Sequence, residues 1–396
     1  MTRTAYTPET MSPVGDDTID AVLAGRLVRP LFQPIVDLST QAVVGFEALA
    51  RGPEGSALEF PDQLFPAAQA AGLYGEINML CAERALECAV AAPVLPPLLF
   101  INAEPALLNQ PVSPRLTNLE QTGLPFPVVI EFTERALPAL PGSLMRVSAQ
   151  VQEWGNSIAL DDVGVDPMSL FFLPVLEPEV IKLDMGLIRN PHAEATQAVC
   201  AVVRAEAKRT GAVVIAEGIE TEEDLAAACG LGAHWGQGWL FGRPGRIEQA
   251  SHRVDPAGAR MLRTSRPGFH QPIGTPFDAA SGHGTRTTGT ADTIATALAR
   301  LRDVLFRDGA TDAVLVASCP DIGVSGVAVP LQELVGKARS VILLDRPVPG
   351  EFAAVVIGGG YGYGLCVRSS DTLDMVEFDH LPTAAAVTRV LLNQLP

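Results

Sequence analysis

The sequence predicts an α/β chain in which a TIM-like β/α barrel is followed by a smaller α/β domain. At 396 residues the chain exceeds the size of about 250 to 300 residues at which a single hydrophobic core usually stops growing, so we expect two domains. Apolar residues make up 47% and charged residues 18%, which indicates a chain that buries a large core. Short β-branched runs alternate with longer segments of helical period, as is typical of parallel strands joined by helices.

Eight predicted strands occupy the barrel region in chain order. They are LFQPIVD, AVVGFEAL, PLLFIN, PVVIEF, SIALDD, EVIKLD, AVVIAEG and, with a fainter pattern, HWGQGW. Several of these runs are too apolar for a half-exposed sheet, which favours buried parallel strands closed into a barrel. Only a few residues around Ser39 to Gln41 separate the first two runs. They leave room for a hairpin but not for a helix, so we expect the first strand to be antiparallel.

Composition divides the chain into four predicted segments. Residues 1–15 are polar and rich in Pro and Thr, which predicts a flexible amino terminus. The barrel pattern extends over residues 16–250. Residues 251–290 are rich in Gly, Pro, Ser and Thr, and this composition predicts a linker. Residues 291–396 combine a helical run, several apolar runs and a last helix from Pro382, which indicates a small, separate α/β domain.

The charge and the cysteines exclude several classes of partner and location. Lys and Arg number 28 against 45 Asp and Glu, a net charge of −17, so the surface repels duplex nucleic acid and anionic membranes. The six cysteines form no CxxC pair, and no signal or membrane-spanning pattern is present, so we expect a cytoplasmic protein. A phosphate ester bound to such a chain needs local cations, and bound metal ions supply them.

Polar side chains close the predicted strands, at the end where a β/α barrel carries its reactive residues. In chain order they are Glu47, Asn102, Glu131, Asp161 with Asp162, Lys182 with Asp184, Glu217 and Gln237. A single acid after a strand is explained as well by a helix cap. Five carboxylates and an amide at one mouth would repel each other unless cations lie among them, and hard oxygen ligands favour Mg²⁺ or Mn²⁺.

Three members of this set suggest particular roles. The adjacent Asp161 and Asp162 suit two neighbouring ions, because one carboxylate can bridge while the next binds the second ion. Lys182 can hold an attacking water or a phosphate oxygen, and we expect burial among metal ions to lower its pKa toward that of a base. A structural alternative is a salt bridge from Lys182 to Asp184 or to another carboxylate of the mouth.

Eight motifs follow one another between about Leu31 and Pro244. They are FQPIVDL, EAL followed by Arg51, INAEPALL, IEFTE, ALDD, IKLD, AEGIE and QGWLFGRP. In this order they resemble the EAL-domain family of cyclic di-GMP phosphodiesterases. The resemblance implies a barrel with an antiparallel first strand, two Mg²⁺ or Mn²⁺ ions, and an enzyme that hydrolyses cyclic di-GMP to the linear dinucleotide pGpG.

The resemblance also implies roles for individual residues. The implied metal ligands are Glu47, Asn102, Glu131, Asp161, Asp162 and Glu217. Lys182 matches the residue that activates the water, and with Glu47 and Glu217 it forms the implied catalytic set. The implied substrate contacts are Gln33, Arg51 and Pro244. The implied supporting residues near metals and water are Asp184, Glu220 and Gln237, while Glu134 matches a glutamate that steadies the loop after Asp162.

That loop departs from the family pattern. The usual DDFGTGYSSL reads DDVGVDPMSL here, where Asp166 adds charge near the ions and Pro167 removes a backbone donor. In the family this loop helps to couple metal binding to dimerisation, so a homodimer is a further predicted partner. Three functions stay open: the phosphodiesterase, a non-catalytic cyclic di-GMP receptor, and another Mg²⁺-dependent phosphodiester hydrolase built on a barrel.

The C-terminal domain resembles the DICT type of sensory domain in its order of elements and in the stretch FAAVVIGGGYGYGLCV. The glycines of this stretch are not followed by Lys and Ser or Thr, which favours a hairpin turn over a phosphate-binding loop. Tyr361 and Tyr363 suit either a ligand pocket or packing against a neighbouring strand. We expect this domain to modulate the barrel in response to a ligand or partner of unknown identity.

Overall fold

The structure is a computed structural model, and it describes residues 18–103, 111–133, 140–165, 168–249, 254–255, 257–306, 313–318, 334–335, 340–344, 348–369 and 373–395. Within these residues eight strands close a barrel and six further strands form a second sheet. No helix of the described part of the chain is long and apolar enough to cross a membrane.

The barrel contains the eight strands that the sequence predicts. They are β1 Arg29–Asp37, β2 Val43–Arg51, β3 Leu99–Ala103, β4 Val128–Thr133, β5 Ser157–Val163, β6 Val180–Leu183, β7 Val213–Ala216 and β8 Trp235–Gln237. Strand β1 is antiparallel to both of its neighbours, β2 and β8, whereas the other pairs are parallel. The predicted barrel with an antiparallel first strand is therefore confirmed.

Helices surround this barrel. They are α1 Ile19–Gly25, α2 Pro61–Ala71, α3 Tyr74–Val90, α4 Pro114–Thr122, α5 Pro141–Glu153, α6 Met168–Leu176, α7 Met185–Arg189, α8 Glu194–Thr210 and α9 Glu222–Leu231. Helix α9 shows how local sequence sets their ends. Thr221 and Asp224 form a reciprocal capping box at its start, and Gly232 adopts the left-handed conformation just past its end, with a φ of 95°.

The C-terminal sheet has the strand order β11-β10-β12-β13-β14-β9. Its strands are β9 Thr285–Thr288, β10 Val314–Ser318, β11 Val341–Leu344, β12 Glu351–Gly358, β13 Tyr361–Ser369 and β14 Leu373–Asp379, and its helices are α10 Pro276–Ser281, α11 Ala291–Leu305 and α12 Leu381–Leu392. Strands β12 and β13 form the predicted hairpin, in which Gly358 pairs with Tyr361. Gly360 in the turn has a φ of 101°, which a glycine adopts without strain.

Two of these elements lie inside the segment 251–290 that composition predicts to be a linker. Strand β9 pairs with β14, and α10 buries Phe277 and Ala280 against the sheet. The sequence of β9, TRTT, has no apolar residue that would alternate with polar ones and so predict a strand. All four of its residues are exposed. The ordered C-terminal unit therefore includes residues that composition assigns to a linker.

The two faces of the C-terminal sheet pack against different partners. On β12, Phe352 and Val356 pack with α11, whereas Ala353 and Val355 belong to a core that also contains residues of α12 and of the barrel helix α6. Helix α12 contacts both α5 and α6. Consequently the C-terminal unit is not a detached module, because it shares a hydrophobic core with the barrel.

Candidate active site

The alternation of side chains along the barrel strands positions the polar residues. Residues two apart on a strand point to the same face, and the interior of the barrel is filled by apolar residues that include Phe100, Val129, Ala159, Val180 and Ile215. The residues two positions further along these five strands are Asn102, Glu131, Asp161, Lys182 and Glu217. These polar side chains are therefore directed into one end of the barrel, which we call the barrel mouth.

Lys182 lies at the centre of the barrel mouth. It is fully buried, and its Nζ lies 2.8 Å from Glu217 Oε1 and 2.9 Å from Glu131 Oε1. The same nitrogen lies 3.2 Å from Asp161 Oδ1 and 3.5 Å from Glu47 Oε2. Four predicted site carboxylates from four different strands thus meet around one ammonium group. Lys182 makes the salt bridges of the structural alternative with these carboxylates, and Asp184 is not among them.

Amide side chains fix the orientation of Glu47. Asn102 Nδ2 donates to Glu47 Oε1 at 2.9 Å, and Gln237 Nε2 donates to Glu47 Oε2 at 2.7 Å. Gln237 Nε2 also lies 3.1 Å from Gln33 Oε1, and Gln33 is the partner of Glu47 in the register of β1 and β2. The antiparallel first strand therefore contributes directly to the mouth, since it brings Gln33 beside Glu47.

One ammonium group cannot neutralise the carboxylates that surround it, and the pKa values reflect this imbalance. Burial and the neighbouring Glu47 raise the pKa of Glu131 well above its ordinary value. Burial and Asp161 raise the pKa of Glu217 to about 8. For Glu47, the cost of burial is outweighed by Lys182 and the amide donors, which lower the pKa of its carboxyl. The negative charge of the carboxylates in the barrel mouth therefore exceeds the single positive charge of Lys182.

The donor set of the mouth fits divalent metal ions. One carboxylate oxygen from each of Asp161, Asp162 and Glu217 lies within 4.8 Å of the other two. Glu131 Oε2 is buried and accepts no hydrogen bond within the described residues, so this oxygen is available to bind a cation. Carboxylate and amide oxygens are hard ligands of the kind that Mg²⁺, Mn²⁺ and Ca²⁺ prefer.

The carboxylates around Lys182 act on its pKa in the direction opposite to burial. Burial acts to lower the pKa, but Asp161, Glu131 and the two other carboxylates raise the pKa well above its ordinary value. The distances given above explain this outcome, because four acidic groups stabilise the charged form. The charged form of Lys182 is therefore favoured while these four carboxylates surround it, and the lowering of its pKa among metal ions stays a prediction.

The loop after β5 begins with backbone strain at the acidic pair. Asp162 adopts a φ of 59°, in the left-handed region that non-glycine residues rarely occupy, and its N–H donates to Asp161 Oδ1 at 2.9 Å. Such strain persists only where the surrounding structure fixes it. Of the residues predicted to alter or steady this loop, Glu134, Asp166 and Pro167 lie outside the described residues.

The other predicted site residues have roles that differ from metal ligation. Arg51 is half-buried at the end of β2 and donates to the carbonyl of Ala50. Asp184 is the N-cap of α7 and accepts from the N–H of Gly186, as the helix-cap alternative predicts. Glu220 pairs with Arg189 at 3.0 Å. Pro244 precedes Gly245, which exchanges backbone hydrogen bonds with Phe32 of β1.

Trp239 and Arg243 are candidate site residues that the sequence prediction omits. The Arg243 guanidinium lies 3.9 Å from the ring centroid of Trp239, and this indole is 53% exposed. Both residues follow Gln237 in the motif QGWLFGRP, and their place in this motif is the sequence signal that could have identified them. An exposed aromatic ring and an arginine plane are surfaces on which a nucleobase can stack.

Comparisons with known proteins find similar sequences for the barrel region of the chain. The sequence model of the EAL domain family matches residues 17–244, more than half of the chain. The probable cyclic di-GMP phosphodiesterase PdeB of Escherichia coli is 30% identical over 225 residues, which cover 54% of this chain and 42% of that protein. The matched part makes up 27 to 42% of the length of the first curated relatives.

Solved structures of other proteins are similar to part of this chain. The EAL domain of Xanthomonas citri FimX, solved in complex with cyclic di-GMP, superposes with a TM-score of 0.53 at 17% identity and covers 59% of this chain and 94% of that chain. Klebsiella pneumoniae BlrP1 is 29% identical, with a TM-score of 0.49 and 56% coverage of both chains, and was solved with calcium and cyclic di-GMP. A manganese complex of BlrP1 matches equally well.

Proposed function

The chain belongs to the EAL domain family, and on this premise we propose that it is a metal-dependent phosphodiesterase that hydrolyses cyclic di-GMP to pGpG. The observation that carries the proposal is the meeting of four carboxylates around Lys182, with Asp162 beside them. Such an acidic, buried site suits the binding of cations that activate a phosphate ester. The name of the relative PdeB supports cyclic di-GMP as the substrate.

We propose that two Mg²⁺ or Mn²⁺ ions are held by the residues that the family resemblance implies. These residues are Glu47, Asn102, Glu131, Asp161, Asp162 and Glu217. The bound ions supply a polarised phosphoryl oxygen and a water of lowered pKa. Asn102 uses its Nδ2 to donate to Glu47, so its amide oxygen is left as the ligand atom.

The remaining residues of the mouth hold the reacting groups in place. Lys182, as a cation, keeps the four carboxylates close together and can donate a hydrogen bond to a water or to a phosphate oxygen. Gln237 and Asn102 keep both oxygens of Glu47 oriented. Gln33, Arg51 and Pro244 are the proposed substrate contacts, and the guanidinium of Arg51 suits a phosphate group.

We place this activity in the cytoplasm. The five cysteines within the described residues, Cys81, Cys88, Cys200, Cys229 and Cys366, are all free thiols, which suits a reducing compartment. Three further parts of the proposal stay predictions: a homodimer, the likeness of residues 291–396 to a DICT domain, and the modulation of the barrel by that domain.

A turnover assay tests the proposed function. The purified full chain is incubated with cyclic di-GMP and Mg²⁺ or Mn²⁺, and pGpG is followed by chromatography. We expect product with either ion and none after chelation. Glu47→Gln removes a proposed ligand and should abolish turnover, whereas the exposed Glu223→Gln on α9 is the matched control and should retain it.

The outcomes of this assay separate the candidate functions. Binding of cyclic di-GMP by the wild-type chain without product would favour the non-catalytic receptor. Hydrolysis of other phosphodiesters but not of cyclic di-GMP would favour a different metal-dependent hydrolase. Retained turnover in the Glu47→Gln variant would mean that the site is wrongly assigned.

A further inference from the structure

Helix α6, which follows the acidic pair of β5, is held at its carboxyl end by residues from outside the barrel. Arg389 of α12 donates from Nη1 to the carbonyl of Val175 at 3.0 Å and to that of Pro174 at 3.2 Å. His270 Nε2 lies 2.8 Å from the carbonyl oxygen of Leu176. The last carbonyls of a helix have no partner within the helix, so these two side chains satisfy the carboxyl end of α6.

These contacts are buried and specific. Arg389 is 6% exposed and His270 is 1% exposed. The Arg389 guanidinium also stacks on Phe269, 4.0 Å from its ring centroid. Burial of a guanidinium is costly unless its donors find acceptors, and a cation near the carboxyl end of a helix is favoured by the helix dipole. The hydrogen bonds of Arg389 therefore persist only while α6 keeps its position against α12.

Helix α6 depends on such external contacts. It has only nine residues, MSLFFLPVL, and Pro174 within it cannot donate a backbone hydrogen bond. A helix this short is marginal by itself, so its position is set by the surfaces that cover it. Phe171 and Phe172 are fully buried in the core shared with the C-terminal unit.

Helix α6 also contacts strand β5, whose end carries the acidic pair. The helix begins at Met168, six residues after Asp162. Asp162 keeps its left-handed backbone conformation there, and Val165 N–H donates back to the carbonyl of Asp162 at 3.3 Å. Val163, next to Asp162 on β5, belongs to the same hydrophobic core as Leu170 and Phe171 of α6, so movement of α6 would shift the strand end that carries the acidic pair.

We infer that Arg389 and His270 are positioning residues for Asp161 and Asp162: they hold α6, and so the C-terminal unit sets the affinity of the barrel mouth for divalent ions. This inference rests on the proposed function, because it concerns the same metal-binding residues. Both positioning residues lie beyond residue 244, where the match to the family ends. The contacts of Arg389 and His270 with α6 therefore come from residues that the family model does not cover.

Binding of Mn²⁺ to the full chain, measured from the electron paramagnetic resonance signal of the free ion, tests the inference without any turnover. Arg389→Met removes the donors and keeps much of the volume, and we expect the Kd for Mn²⁺ to rise by about twofold to thirtyfold. Arg389→Lys should restore part of the affinity. Arg146→Met is the matched control, because Arg146 of α5 donates to the carbonyl of Leu395 in the same interface and to Ser143 Oγ of its own helix.

The results distinguish this inference from the proposed function. Unchanged Mn²⁺ affinity in a folded Arg389→Met variant would overturn the inference alone, as would an equal loss in Arg146→Met. Absence of Mn²⁺ binding by the wild-type chain would overturn the proposed function as well.

Hydrogen exchange on the unmodified chain decides the question if the Arg389 variants do not fold. Coupling between two sites is reciprocal, so Mn²⁺ binding at the mouth should slow amide exchange in α6 and in α12. Protection that is confined to the strand ends of the barrel, with unchanged exchange in α12, would contradict the inference.

Discussion

Lys182 Nζ and Glu131 Oε1 lie 2.9 Å apart, and both side chains are fully buried at the centre of the barrel mouth. Neither group has solvent around it, so Lys182 is the neighbour that favours the charged form of Glu131, while burial and Glu47 oppose that form. The pair explains why acids from separate strands can approach each other in a folded barrel before any divalent ion is bound.

Loss of this lysine should destabilise the protein. Lys182→Met leaves buried carboxylates without their cation, and we expect the free energy of unfolding measured by urea denaturation in metal-free buffer to fall by about 3 to 5 kcal/mol. The matched control is Lys208→Met, because Lys208 is exposed on α8. A similar small loss of unfolding free energy in both variants would show that Lys182 is not needed to keep the carboxylates of the barrel mouth together.

Divalent ions should stabilise the folded chain through the same cluster. A ligand that binds only the folded state adds about 2.7 kcal/mol when its concentration is a hundred times its Kd. We expect Mn²⁺ to raise the thermal midpoint of the wild-type chain and to leave that of Asp161→Asn nearly unchanged. The exposed Asp292→Asn should respond as the wild type does. If Asp161→Asn is stabilised as strongly as the wild type, the ions bind elsewhere.

The buried His270 should make stability depend on pH. Burial lowers its pKa to about 4 in the folded chain, whereas an unfolded chain has an ordinary value of about 6.5. Between these values the unfolded chain binds more protons, so the free energy of unfolding falls as pH is lowered from about 6.5 to about 4, by about 3 kcal/mol in total. Above about pH 6.5 His270 is neutral in both the folded and the unfolded chain, so this loss of unfolding free energy is absent.

Comparison with a variant that does not titrate isolates the effect of His270. His270→Gln keeps a donor for the carbonyl of Leu176, and its unfolding free energy should vary less between pH 6.5 and pH 4 than that of the wild type. Urea titrations at a series of pH values measure the difference. Parallel curves for the two proteins would rule out His270 as the titrating group.

Removal of the C-terminal unit should destabilise the barrel. A chain that ends at residue 249 loses α12, which covers α6 and supplies Arg389. We expect such a chain to bind a hydrophobic dye and to melt at a lower temperature than the full chain, because the large apolar residues of α6 become exposed. A truncated chain with an unchanged, cooperative melting transition would show that the shared core contributes little.

Much of the barrel was predictable because its signals are local. Apolar runs of strand length, a connection too short for a helix after β1, and a polar residue at each strand end are all visible along the chain. Side chains alternate with a period of two, so Glu131 and Asp161 must enter the mouth once their strands line the barrel. The gathering of the predicted carboxylates follows from topology and this period.

Other features were not predictable from local pattern. Strand β9 is a polar edge strand, and it becomes a strand only because β14 offers backbone partners. The pKa of Lys182 depends on its distances to four carboxylates, which act in the direction opposite to burial. In both cases the decisive partners are remote in sequence.

The sequence by itself determined the barrel, its antiparallel first strand and the set of acids that meet at its mouth, because each of these depends on short-range periodicity and on the order of the strands. Only the tertiary structure decided that four carboxylates meet around Lys182 and that Arg389 caps a helix of the barrel. Arg389 and Pro174 are 215 positions apart, and contact between such distant residues is set by how the completed cores pack together.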